Sequence, residues 1–583
     1  MNLLSQIFSI FDKNDKFHFF SLLFLIFISM FLEMLSIGLI VPIITLVIES
    51  DQSFFSEYNF YIFDNFFLLN KETQIILILA IFALIYFFKS VYLTLLTIYL
   101  NSFSYNLKAK ISKNLLKSYL NKKFQFYIEN NSSKLLRNIK DEPDLFVIQV
   151  FKPLLILFVD FFLVIGVVAV LIFYEPLISS LLLLVLISIA SIFIKLTNKK
   201  ITYSGYMRQK NDASRIKIIS QAFNSIVEIM ILNVRKTIVS KYKEPNEKSS
   251  NAVKLNTIFQ ELPRVWLEMT GVTGALILTF VMFSFNRELD EIIPVLGLFS
   301  LAAFKTLPTS NRILASITSI KFAKPVIGII KRNLNKTINK TINKTYKQNP
   351  KTLLIDFKKN IIFKNVKFLF NENKNKKLVF KNLNLNIKKN TSTAIIGESG
   401  SGKSTLLNLF LGFFNPSSGQ ILIDGKNLKN INNGWLNNIG YVSQLTTIID
   451  DTIKRNIAFG QNDKEIDKKK LREAIQKSNL SKFINNLPRG INTTLGEKGI
   501  KISGGQRQRI TIARALYYNP SIIIFDEATN ALDVETENII INEILKLKKD
   551  KTVIFVTHRT NNLKKFDVVY KVKNYRLIKK NLI

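Results

Sequence analysis

Six long apolar runs dominate the first half of the chain, at positions 17–48, 74–100, 146–173, 177–194, 262–285 and 292–313. At about 1.5 Å per helical residue, runs of this length reach across a hydrocarbon layer roughly 30 Å thick. The third and fourth are separated only by Tyr174, Glu175 and Pro176. From Thr352 the pattern changes to short β-rich runs, at 353–357, 361–370, 392–396, 421–423, 522–525 and 552–556, alternating with helical stretches. That alternation predicts an α/β domain. Between the two patterns lies a polar tract in which Asn-Lys-Thr recurs at Asn335, Asn339 and Asn343, with no core periodicity. The expected organisation is therefore a membrane domain over 1–330, a linker over 331–351 and a soluble domain over 352–583.

Composition agrees with this division. Hydrophobic residues make up 48% of the chain although 21% is charged, so the two kinds must be segregated along it. Lys and Arg outnumber Asp and Glu by 80 to 42, a formal net charge of +38. In a soluble protein that excess suggests nucleic-acid binding. Here the basic residues crowd 101–144 and 195–260, whereas the loops after the first, third and fifth runs are mostly acidic. The positive-inside rule places the basic segments, and the soluble domain, on the cytoplasmic side of a membrane, and no nucleic-acid partner is expected. Each basic segment is helix-compatible, so the spans are expected to continue as helices beyond the membrane. Residues 51–70, rich in Phe and Tyr, are expected at the outer surface, as an interfacial element or as span anchors. The first apolar run exceeds a signal-peptide core, and no cleaved leader is expected. There is no cysteine, which excludes disulfides, thiolate metal sites and Cys nucleophiles.

The soluble half carries chemistry in a recognisable order. The strand Thr393–Ile396 runs into Gly397, Glu398, Ser399, Gly400, Ser401, Gly402, Lys403, Ser404 and Thr405, followed by an apolar helix. Glycines there let backbone amides face phosphates at a helix N-terminus, Lys403 supplies positive charge to the β- and γ-phosphates, and Ser404 can coordinate Mg²⁺. Further on, the apolar run 522–525 ends in Asp526 and Glu527, as a buried strand does when it delivers carboxylates at its C-terminal edge. Asp526 is placed to hold Mg²⁺ directly or through water, and Glu527 to polarise an attacking water as general base.

Ile502, Ser503, Gly504, Gly505 and Gln506 resemble the signature of ABC transporters, with Ile in place of the usual Leu. Other motifs of that family stand in the expected order: Gln444 as the Q-loop, Gly496–Gly499 as the exporter-type X-loop, Asn530–Asp533 as the D-loop, and His558 as the switch histidine. The resemblance implies a multidomain protein: an all-α six-helix transmembrane domain of ABC exporter type, then an α/β P-loop ABC ATPase domain. It implies ATP and Mg²⁺ as ligands, with Gln444 near the metal and Phe370 in place of the adenine-stacking Tyr. Ser443 before Gln444, where Pro is frequent, and Asn530, in place of Ser, are further departures. In this family ATP lies between the P-loop of one chain and the signature of another, so Ser503, Gly504, Gly505, Gln506 and Asp533 are expected to act in trans. A second half-transporter is therefore implied; with every catalytic position intact, a homodimer is expected.

The membrane half resembles the PglK-type lipid-linked oligosaccharide flippases at Glu33–Pro42, Leu262–Glu268 and Leu307–Arg312. That resemblance implies ATP-driven movement of a polyprenyl-pyrophosphate-linked glycan across a bacterial inner membrane. Lys89, Arg264 and Lys305, within or beside the spans, are the candidates to contact the pyrophosphate. Export of another lipid, a peptide or a drug is the alternative, and a non-transport ABC ATPase a more remote one. Glu33 and Glu268 also lie inside spans, which is costly unless each is paired or faces water.

Overall fold

The computed structural model describes residues 3–38, 71–174, 176–284, 289–334, 357–372, 375–431, 433–529, 534–559 and 562–580. The chain forms two compact units, one of Met1–Lys122 with Phe126–Asn343, the other of Lys123–Gln125 with Lys344–Ile583. The segment 51–70, most of the linker, the tail of the first apolar run and the stretch Asn530–Asp533 lie outside the described residues.

The first unit is helical. After a short helix Leu3–Phe8 come α1 (Lys13–Gly38), α2 (Lys71–Leu120), α3 (Ser132–Phe146), α4 (Lys152–Tyr174), α5 (Pro176–Asn224), α6 (Arg235–Ser284) and α7 (Leu289–Phe322). A wider π-turn, Val147–Phe151, joins α3 to α4. The expected runs 74–100, 177–194 and 292–313 lie in α2, α5 and α7; 146–173 starts at the end of α3 and crosses the π-turn into α4, and the described parts of 17–48 and 262–285 lie in α1 and α6. Among the described residues, four helices are long and apolar enough to cross a membrane, and a fifth if the bent pair Val295–Phe322 and Lys324–Asn333 counts as one. α5 carries the apolar run 177–194 in its first half. α2 is a 50-residue helix containing neither glycine nor proline, the two residues that most often kink a helix. The helix Lys324–Asn333 extends three residues into the segment expected as linker.

Many spanning side chains are exposed apolar groups, such as Phe24 on α1, Phe87 on α2 and Phe280 on α6, as a lipid-facing surface requires. The buried core of this unit gathers Phe11, Phe19, Phe146, Phe151 and Ile327 from the N-terminal segment, α1, the α3–α4 region and the last helix. Tyr92 on α2 donates a 2.7 Å hydrogen bond to the Leu25 carbonyl of α1. One buried charge sits within α4: Asp160, 2% exposed, accepts from Arg312 Nε at 2.9 Å and Nη2 at 2.8 Å, tying α4 to α7.

The second unit holds two sheets. An antiparallel sheet has the order β2-β1-β4-β5, from β1 (Asn360–Glu372), β2 (Asn375–Lys388), β4 (Ser418–Ile423) and β5 (Lys426–Asn427). The other has the order β10-β9-β3-β8-β7-β6, from β3 (Ser392–Gly397), β6 (Ile439–Val442), β7 (Ile522–Asp526), β8 (Thr552–Thr557), β9 (Val568–Lys573) and β10 (Arg576–Lys580). All its neighbours pair in parallel except β9 and β10. Strand side chains alternate between faces, and the alternation here divides two cores. Ile523 and Phe525 of β7, with Val553 and Phe555 of β8, enter one hydrophobic cluster. Ile522, Ile524, Ile554 and Val556 enter the other. A strand buried on both faces reads as an unbroken apolar run, which is why 522–525 and 552–556 stand out in the sequence.

Candidate nucleotide site

The topology brings four loops to one edge. β3, β8, β7 and β6 are successive parallel neighbours, so the segments after Gly397, Thr557, Asp526 and Val442 all leave from the C-terminal end of the sheet, where open α/β sheets bind ligands.

After β3 the chain turns through Gly400 (φ +77) and Gly402 (φ +105) into helix α8 (Lys403–Phe410). At Gly402 a side chain is strained by the backbone, and a Cβ would also lie 3.0 Å from Val379. The N-cap, Gly402, offers α8 no side-chain acceptor, leaving its first amides available to an anion. Glu398, Ser399, Gly400 and Ser404 are exposed, while Gly397, Ser401, Gly402 and Thr405 are half-buried. Lys403 is 7% exposed and donates to the carbonyls of Gly397 at 2.8 Å and Glu398 at 3.0 Å. The Ser401 hydroxyl is buried with no hydrogen-bond partner. A buried ammonium, an unpartnered hydroxyl and uncapped helix amides around one loop fit a polyphosphate chain.

Glu527 is the hub. Its carboxylate accepts from Gln444 Nε2 at 2.8 Å, lies 3.6 Å from Lys403 Nζ and 3.9 Å from His558 Nδ1. Its backbone sits at φ +49, an uncommon conformation for a non-glycine residue and a mark of functional sites, held by a 2.9 Å bond from its N–H to the Val556 carbonyl. Asp526 is 8% exposed and accepts a 2.8 Å hydrogen bond from the Tyr441 hydroxyl. Burial lifts the Asp526 carboxyl above its ordinary range; Tyr441's bond and Lys403 pull it back, and Glu527's charge adds to the rise. Burial, followed by the charge of Asp526, drives the Tyr441 phenol well above its own.

Tyr441 escapes motif reading, although its place on β6, paired with Ile524 of β7, puts it beside the carboxylates. Glu537 is a second such residue: buried at 6% exposure, it accepts from the Thr529 hydroxyl at 2.7 Å and pairs with Arg559, binding the segment after Glu527 to the segment after His558.

Ser503 caps helix α9 (Gly504–Tyr517): its hydroxyl accepts from Gln506 N at 3.2 Å, and Gln506 Oε1 accepts from Ser503 N at 2.9 Å. This reciprocal capping box pre-forms a helix N-terminus. Among the described residues no hydrogen bond or ion pair links Ser503, Gly504, Gly505 or Gln506 to the P-loop of the same chain. Asp533 lies outside the described residues. Phe370 is half-buried, edge-on to Phe368 at 5.0 Å and Phe414 at 5.4 Å.

Residues 380–530 match the ABC transporter family. Over 96% of its length the chain superimposes on a bacterial Atm1-family ABC exporter with ATP bound, covering 94% of that chain at TM-score 0.71 and 18% identity. The fold is that of an ABC exporter, and its second unit is an ABC ATPase domain. In sequence, the multidrug export ATP-binding/permease protein of Staphylococcus aureus strain COL and its counterpart in strain MRSA252 are each 43% identical over 213 residues. The match spans 36% of this chain and 36% of each relative.

The three membrane candidates stand on different helices. Lys89 on α2 is 6% exposed, its ammonium 4.8 Å from the Tyr86 ring centroid. Arg264 on α6 is exposed and pairs with Glu268 one turn on, at 2.7 Å. Lys305 on α7 is half-buried. The Glu268 charge thus has its partner; the side chain of Glu33 lies outside the described residues.

Proposed function

We propose that this protein hydrolyses ATP and uses the energy to move an amphiphile across a bacterial inner membrane, with its ATPase domain in the cytoplasm. The observation that carries the reading is the convergence of Lys403, Gln444 and His558 on Glu527, beside buried Asp526, at the C-terminal edge of a parallel sheet.

Lys403, with the amides that open α8, binds and orients the triphosphate, and Ser404, Gln444 and Asp526 hold Mg²⁺. Mg²⁺, when bound, neutralises charge on the phosphate oxygens. Glu527 accepts the proton of the attacking water, Gln444 orients the carboxylate, and His558 supports charge on the transferred group. Phe370 stacks on the base. Ser503, Gly504, Gly505 and Gln506, together with Asp533, act on nucleotide held by a second chain: the capping box fixes the helix end through Ser503 and Gln506, leaves the Gly504 and Gly505 amides outside it, and is not engaged by its own P-loop. A homodimer therefore builds two complete sites, and the cycle of closing and reopening drives the spans.

For the cargo, the likeness of Glu33–Pro42, Leu262–Glu268 and Leu307–Arg312 to PglK-type flippases supports a lipid-linked oligosaccharide, with Lys89, Arg264 and Lys305 meeting its pyrophosphate. A second reading, export of a drug or another lipid, is supported by the likeness to multidrug export proteins. The test reconstitutes the protein in liposomes with an undecaprenyl-pyrophosphate oligosaccharide and follows ATP-dependent transfer, with Glu527→Gln as control. Transfer lost in the control supports the glycolipid; hydrolysis without transfer removes the glycolipid and leaves the second reading.

A further inference from the structure

A cavity of about 500 Å³ lies among α4, α5, α6 and α7 of the helical unit. Its walls are apolar, including Val164, Leu183, Ala275, Phe299 and Ala303. Its size falls within the range of roughly 300–1,000 Å³ typical of small-molecule sites. Close helix packing shapes one side: at Gly271 a Cβ would lie 2.7 Å from Leu307 Cδ1, so a side chain on α6 there displaces the Leu307 tip on α7.

The polar groups of the lining are mostly engaged. Ser179 Oγ donates to the Leu171 carbonyl, Thr270 Oγ1 to Leu267 and Thr306 Oγ1 to Ala302, each at 2.8 Å. Among the described residues that line the cavity, Glu268 is the only ionisable side chain. Arg264 reaches its Oε1 through a single Nε bond of 2.7 Å and is not itself part of the lining.

We propose that this cavity binds a compact hydrophobic cation, its apolar body against the four helices and its positive centre at the Glu268 carboxylate. A carboxylate beside an apolar wall attracts cations and repels anions, and with Ser179, Thr270 and Thr306 already donating to backbone carbonyls it is the charged group that the described lining offers a ligand. Arg264 then competes with the ligand for Glu268. The site's part in transport rests on the exporter reading; binding does not, since it needs no nucleotide.

The test measures equilibrium binding of tetraphenylphosphonium to the full-length, nucleotide-free protein in nanodiscs, with tetraphenylborate as the anion of matched shape. The cation binds and the anion does not. Glu268→Gln weakens cation binding about tenfold or more, the scale of losing one close charge partner. Arg264→Gln strengthens it, by removing the competitor. Ala303→Phe or Ala275→Leu, which fill the cavity, abolish it. Equal binding of the two ions, an unchanged Glu268→Gln, or a fall in Arg264→Gln that matches Glu268→Gln would each overturn the proposal; the last marks the ion pair as support for α6 alone. Binding with this pattern but no ATP-driven uptake of the cation into liposomes leaves the site standing and removes the cation as cargo, while the liposome transfer of the glycolipid tests the exporter reading separately.

Discussion

Gln444 donates its side-chain amide to the Glu527 carboxylate at 2.8 Å, across 83 residues of sequence. β6 and β7 are parallel neighbours whose ends point the same way, so a loop residue after one reaches a carboxylate after the other. This bond orients a group we assign as the base. Glu527→Gln keeps the shape, and can still meet Gln444, but cannot take a proton. ATP turnover should fall by about 10²-fold or more, with ATP affinity within a few-fold of the parent. Measuring steady-state hydrolysis beside nucleotide binding separates the two; turnover above a tenth of the parent removes Glu527 from the role.

The raised Asp526 carboxyl gives a pH dependence with a defined sign. The nucleotide-free folded chain retains a proton there after the unfolded chain has released it. Stability from this group is therefore present at low pH and lost as pH rises from the ordinary carboxylate value through the folded one. Asp526→Asn removes that loss. Thermal melts without nucleotide should put the variant above the parent at pH 8, by about 2–4 °C for each kcal/mol recovered, and bring the two together toward pH 4. A gap that widens on acidification contradicts the assignment.

Tyr441→Phe deletes the hydroxyl that donates to Asp526. The carboxyl should rise further, moving the acid limb of the ATPase profile to higher pH while the alkaline limb stays. Hydrolysis followed from pH 5 to 9 checks this.

Much of the ATPase unit could be read in advance because its chemistry is local. The P-loop, the Asp526–Glu527 pair and the Ser503–Gln506 cap are short runs whose spacing encodes their geometry, and the apolar runs of β7 and β8 announce strands buried on both faces. Tyr441, Glu537 and Asp160 were not legible in this way. Tyr441 and Asp160 matter through partners far along the chain, 85 residues away for Tyr441 and Asp526 and 152 for Asp160 and Arg312, and Glu537 through Thr529 and Arg559, which no motif joins to it. Glu268 read as a charge in need of a partner, and its i,i+4 spacing from Arg264 on one helix already pointed to that partner; only packing revealed that a cavity opens beside it.

Ser503→Ala removes one arm of the capping box, and a lost N-cap typically costs about 1 kcal/mol. The start of α9 should show faster amide exchange, and hydrolysis should fall more than the stability loss explains if this end also serves a second chain. Threonine, which retains the hydroxyl, should restore most of both. Exchange that is unaltered in the alanine variant contradicts the cap.

Asp160 and Arg312 should behave as a unit. Arg312→Leu leaves a buried carboxylate unpaired and should lower the melting temperature in detergent more than the double change Asp160→Leu with Arg312→Leu, which removes both charges. Equal losses would show that the two groups act independently.

Replacing Lys89, Arg264 and Lys305 together by Gln should abolish lipid transfer in liposomes while basal ATP hydrolysis remains within about twofold, since surface and span changes away from the ATPase core seldom disturb it. Undiminished transfer excludes these residues from the pyrophosphate path.

The uninterrupted α2 has a mechanical consequence. Tyr92 pins it to Leu25, and from there about 42 Å of helix runs on to Leu120, at about 1.5 Å per residue. With no glycine or proline to absorb bending, that length behaves as a stiff rod, and it meets α1 a second time where Lys110 bonds Asp15 at 2.7 Å. A tilt of about 5° between its ends corresponds to a displacement of about 4 Å, roughly two-thirds of a helical turn. Two separated ties to α1, at Tyr92 and at Lys110, make the pair of helices move as one beam, so a displacement at either end is carried to the other without being absorbed in between.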